Sequence, residues 1–174
     1  NYAFGGQFSA RLNQNLRQDK GYSYGYQSNI QWHQHLSLML AGGSVQTGAT
    51  KESVIETLKE FNEVRGERPI TKEELDGAKD GVLRGYPASF ERPGAVLGQL
   101  LQMVQFDLPD DYFRTVRPSI EALILADVHR IVEEWIRPDQ LKILVVGDRQ
   151  EVDLGLKELG MSIMYLDVDG KEVM

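Results

Sequence analysis

The sequence changes period at Gly21. Before it, Phe8, Leu12 and Leu16 recur at a spacing of four, which predicts a helix over 7–19 with Gly21 placed to end it. After it, residues 22–32 alternate. Tyr22, Tyr24, Tyr26, Ile30 and Trp32 share one face, and Ser23, Gly25, Gln27, Asn29 and Gln31 share the other. Period two with aromatic enrichment predicts a strand. Leu36 to Val45 reads as a second strand, and the short polar link at His33–His35 implies an antiparallel hairpin. An arginine near the helix end, Arg17, and a tyrosine at the strand start can aim two hydrogen-bond donors at one point. Such a pair beside an extended strand suits holding a peptide backbone and polarising its carbonyl.

The rest of the chain is mostly helical in pattern. Residues 50–65 form an amphipathic helix with Val54, Ile55, Leu58, Phe61 and Val64 inward, ended by Gly66. Thr71 followed by Glu74 is a capping box that starts a helix through about Leu83. Beyond the breakers Gly85, Pro87 and Pro93, a further helix places Val96, Leu97, Leu100, Leu101 and Val104 on its inner face. A short helical piece lies between Pro109 and Pro118. Ala126 to Ile136 is another helix, with Val128, Ile131, Val132, Trp135 and Ile136 apolar. Leu141 to Val146 and Met161 to Asp167 read as strands flanking a weak helix at 151–159, and the tail after Gly170 is expected to be loose. The order predicts an α+β fold, an antiparallel sheet packed against helices, in one domain over 1–174. Four strands are few for so many helices, and an amino-terminal piece is expected to supply more.

Bulk properties narrow the function. The 174 residues suffice for one core, and a formal charge of −7 with no basic cluster argues against nucleic acid as a partner. There are no cysteines, so disulfides and thiolate zinc sites are excluded. No apolar run reaches the roughly 18 residues a membrane span needs. With Asn rather than Met at position 1, the chain is expected to be a processed product or an excised fragment.

The run Gly5-Gly6…Phe8-Ser9…Arg11-Leu12…Leu16-Arg17…Gly21…Tyr24 resembles the arginine–tyrosine motif of the M16 zinc peptidases, the insulinase, pitrilysin and mitochondrial processing peptidase family. The hairpin, Thr71-Lys72-Glu73-Glu74-Leu75, and Ala126-Asp127-Val128 leading to Leu144-Val145-Val146-Gly147-Asp148 look like the carboxyl-terminal portion of such a domain. The inverted zinc motif His-x-x-Glu-His of the family's active half is absent, and His33, His35 and His129 lack its context. The resemblance therefore implies the non-catalytic half, with the first strands of the family fold missing. It implies that Arg17 and Tyr24 bind substrate and assist catalysis. It also implies no metal in this chain, zinc in a partner half on the same chain or another subunit, and a peptide substrate. Tyr22 and Tyr26 share the predicted face of Tyr24; only motif spacing selects Tyr24.

Other candidates have ordinary readings. Arg11 is expected in a local ion pair and Ser9 at a helix cap. Gly5 and Gly6 let the backbone turn tightly or approach a neighbour closely. His33 and His35 lie two apart and would share a strand face, but no third metal ligand is evident, so they read as exposed hairpin histidines. His129, Glu133 and Glu134 read as solvated helix positions. The alternatives are a degenerate M16-fold scaffold or core subunit, and a generic peptide-binding α+β module. A periplasmic location is expected from the resemblance and the lack of cysteine, with the cytoplasm as the alternative.

Overall fold

The structure, a computed structural model, describes residues 1–173. The chain opens with turns rather than helix. The amides of Phe4, Gly5 and Gly6 all donate to the Asn1 carbonyl at 3.0 Å. The first helix, α1, begins only at Arg11–Asn13 and continues as a π-helical stretch, Gln14–Asp19. Gly21 ends it in the left-handed region, φ +67°. The helix expected from residue 7 is therefore shorter. Leu12 and Leu16 are fully buried, but Phe8 lies before the helix and is 58% exposed.

Strands β1 (Gln27–Gln31) and β2 (Leu38–Gly42) pair antiparallel, Gln27 opposite Gly42 and Gln31 opposite Leu38. The expected strand from Tyr22 is interrupted, with only a bridge between Ser23 and Val45 ahead of β1. Gly5 passes so close to β1 that a Cβ there would sit 2.3 Å from Ser28 Oγ, and the Gly5 carbonyl accepts the Ser28 amide at 2.8 Å. Close backbone approach explains this glycine.

Helix α2 (Thr50–Arg65) has the expected span. Val54, Phe61 and Val64 are buried, while Ile55 is exposed, contrary to expectation. The core gathers Phe4, Leu12, Leu16, Tyr26, Phe61, Val64 and Ile70, with the Phe4 and Phe61 rings edge-to-face at 4.9 Å. Helix α3 (Lys72–Gly85) starts at the capping box: the Glu74 amide donates to Thr71 Oγ1 and the Thr71 amide to Glu74 Oε2.

Helices α4 (Pro93–Phe106), α5 (Tyr112–Ala122) and α6 (Leu125–Trp135) follow, with no residue fully buried in any of them. The predicted inner face of α4 is open, Leu97, Leu100, Leu101 and Val104 being 51–82% exposed. On α6, Ile131 and Trp135 are likewise exposed. Periodicity marks a face that wants cover, but among the described residues these side chains stay exposed. Pro118 sits inside α5 instead of ending it.

Leu141–Val146 is not a strand. The run is extended coil, Leu144 78% and Val146 91% exposed, because a strand needs a hydrogen-bonding neighbour and none of the described segments supplies one. Helix α7 (Arg149–Lys157) packs on α2. The expected strand at 161–167 shrinks to β3 (Tyr165–Leu166), which pairs with β4 (Glu172–Val173). The tail is thus a small hairpin rather than loose. Asp167 Oδ1 holds its turn by accepting the amides of Asp169 and Lys171 at 2.9 Å. The fold is α+β, a small antiparallel sheet against helices.

Candidate functional site

The π-helical stretch widens the last turn before Gly21 and carries Arg17 next to the fully buried Leu16. The chain then reverses, and the Leu16 carbonyl accepts the amides of both Tyr22 (2.9 Å) and Ser23 (3.2 Å). Ser23 is buried. Its Oγ lies 2.8 Å from the carbonyl oxygens of Gly25 and Ser44 and accepts the Gly25 amide at 3.1 Å. That pin breaks the alternation: Ser23 turns in and Tyr24 turns out.

The three tyrosines consequently separate. Tyr22 packs at the core edge. Tyr26 is 8% exposed, with its hydroxyl 2.9 Å from Thr57 Oγ1. Tyr24 alone stands open, 90% exposed. Their shared face does not exist.

Arg17 Cζ lies 5.0 Å from the Tyr24 ring centroid and 4.5 Å from that of Phe8. Both are within cation–π range. Among the described residues the guanidinium has no carboxylate or carbonyl partner. Ring faces accept no N–H bonds of ordinary strength, so its donors stay available at the edge. The site is a half-buried cation flanked by two aromatic rings on an open surface. A surface hollow of about 420 Å³ lies elsewhere, between Trp32 and α4.

Two further residues complete this geometry. Phe8 stands on the expected helix face and in the motif, neither of which gives it a role beside Arg17. Asn13, 1% exposed, donates from Nδ2 to the Phe8 carbonyl at 2.7 Å and accepts the Tyr26 amide on Oδ1 at 3.0 Å. It ties the backbone under Phe8 to the backbone just beyond Tyr24. Asn13 is one of three consecutive amide residues between Leu12 and Leu16, and the pattern does not single it out.

Arg11 does not join the site. Its Nε and Nη2 reach Glu74 at 2.6 and 2.5 Å, and it also donates to the Arg68 and Pro69 carbonyls. The ion pair joins α1 to α3 and is not local. Burial works to raise the Glu74 carboxyl, but the hydrogen bonds from Arg11 and from the Thr71 amide outweigh it and hold it below the usual range. Ser9 caps nothing; Ala10 occupies the N-cap without a side-chain bond.

His33 and His35 lie in the exposed loop 32–37, not on a strand. His129 is half-buried rather than solvated, its Nε2 2.8 Å from the Ile70 carbonyl oxygen. Glu133 and Glu134 are exposed. Among the described residues no three His, Cys, Asp or Glu side chains come close enough to hold a metal. Among the described residues no helix is long and apolar enough to cross a membrane.

The profile of the peptidase M16 inactive domain matches residues 1–82. No curated protein matches the chain. Among solved structures, a peptidase M16 inactive domain from Pseudomonas fluorescens is 22% identical at TM-score 0.72, over 80% of this chain and 33% of that one. A Helicobacter pylori protease is 19% identical at TM-score 0.58, over 78% and 32%. A candidate zinc protease from Bordetella pertussis is 19% identical at TM-score 0.62, over 78% and 73%. The chain thus spans about a third of the first two solved chains. The peptidase M16 inactive-domain profile thus covers the stretch that contains Phe8, Asn13, Arg17 and Tyr24, and the fold of the chain is that of the solved structures it resembles.

Proposed function

We propose that this chain is the substrate-holding, non-catalytic portion of a larger M16-type zinc endopeptidase. It closes on a zinc-bearing half, on the same polypeptide or another subunit, and Arg17 and Tyr24 donate hydrogen bonds to the carbonyl of a bound peptide. The observation that carries the reading is the Arg17 guanidinium, unpaired by any acid among the described residues and seated against the 90% exposed Tyr24. A cation with spare donors beside a phenol supports binding of an oxygen that gains negative charge. The open apolar faces of α4 and α6 and the unpaired run 141–146 support the wider reading, since a chain with that much uncovered surface fits as part of a larger body.

The test is Arg17→Ala in the complete peptidase. Loss of one such donor is expected to lower kcat by about 100- to 1000-fold. The melting temperature should hardly move, because among the described residues Arg17 makes no ion pair. Unchanged turnover would sink the proposal and leave a scaffold that keeps the motif for packing.

A further inference from the structure

We propose that Phe8 is a positioning residue for Arg17, one wall of an aromatic seat whose other wall is Tyr24. The inference rests on the substrate-holding role of Arg17 proposed above. Three observations carry it. The Phe8 ring is 58% exposed, so it contributes little to the core. Its centroid is 4.5 Å from Arg17 Cζ, nearer than the Tyr24 centroid at 5.0 Å. Its backbone is held by the buried Asn13 amide, which also holds the Tyr26 amide. One buried side chain therefore fixes the stretches bearing both rings.

The physical effect is preorganisation. A free arginine side chain samples many rotamers and loses that freedom on binding. A guanidinium is weakly hydrated and stacks readily on aromatic faces. Two rings narrow its range before substrate arrives, without consuming the N–H donors that a carbonyl or carboxylate partner would occupy. The seat explains how an arginine without an acid partner can still have a defined place.

The test has a spectroscopic arm and a kinetic arm. In the full chain labelled with 15N-arginine, the Arg17 Nε–Hε resonance, assigned by its loss in Arg17→Lys, is expected to be ring-current shifted. Phe8→Leu should move it toward the free-arginine position, while Phe8→Tyr should keep it. A resonance unmoved by Phe8→Leu overturns the proposal. In the complete peptidase, Phe8→Leu is expected to lower kcat about fivefold, with Phe8→Tyr restoring most of the loss. The same Phe8→Leu change on an Arg17→Ala background should cost nothing more; an equal further loss overturns the proposal in favour of a merely structural Phe8. Should Arg17→Ala leave turnover intact, the substrate-holding role fails, and the resonance still decides whether the seat exists.

Discussion

The two ends of this chain treat apolar side chains in opposite ways. Every buried residue lies at or before Leu75, and none lies after it among the described residues. The amino-terminal part wraps α1, β1 and α2 around one cluster and closes it with ionic links, Arg11 to Glu74 and Arg68 to the 2%-exposed Glu60. The carboxyl-terminal part is richer in leucine and valine but leaves many of them on open helix faces. Amphipathic pattern alone does not make a core; it makes a face, and a second surface must cover it. The Arg17 site sits in the amino-terminal part, beside the buried Leu16.

The largest test of that contrast is paired truncation. Leu16→Ala is expected to cost about 2–5 kcal/mol of unfolding free energy, as removal of a buried leucine does. Leu101→Ala, at 59% exposure, should cost less than about 0.5 kcal/mol by the same denaturant titration. Equal costs would break the contrast. A large Leu101 cost seen only in a longer form of the protein would sharpen it, by showing that α4 is covered there.

Ion pairs give a smaller test. Arg11→Ala should cost about 1–3 kcal/mol at neutral pH, since it strands a half-buried carboxylate. Arg117→Ala, which breaks the exposed pair with Glu121 on α5, should cost about 0.3–0.5 kcal/mol. The Arg11–Glu74 pair also carries a pH dependence. The Glu74 carboxyl is lowered in the fold, so the unfolded chain takes up its proton first. Its stabilisation is complete above the ordinary glutamate range and is lost as pH falls through the lowered folded value. Arg11→Ala should flatten that acid limb of the melting profile; an unaltered slope would remove Glu74 from the account.

The smallest effect is expected at Asp107, the only non-glycine residue with positive φ among the described residues, +50°, at the carboxyl end of α4. Asp107→Gly relieves the left-handed penalty and should stabilise by about 0.5 kcal/mol. No gain in thermal stability would mean that α4 is too loosely anchored for its cap to register.

How much of this was legible follows the same divide. The span of α2, the Thr71–Glu74 box, the hairpin pairing and the stop at Gly21 rest on neighbours in sequence, and local rules reached them. Phe8 was misplaced because a spacing of four was extended back past the true helix start at Arg11. Alternation cannot choose among the tyrosines, and only the motif spacing selects Tyr24, because alternation assumes an unbroken strand and the Ser23 side chain breaks it by reaching Ser44, 21 residues away.

What the sequence determined by itself was therefore the local vocabulary: which stretches are helical, where they stop, and that Arg17 and a tyrosine come close across Gly21. Tertiary structure decided which tyrosine faces outward, which arginine is consumed by an acid, and which apolar faces find cover. Those outcomes depend on contacts between distant residues, Arg11 with Glu74, Ser23 with Ser44, Asn13 with Tyr26, and no periodicity encodes a partner that far along the chain.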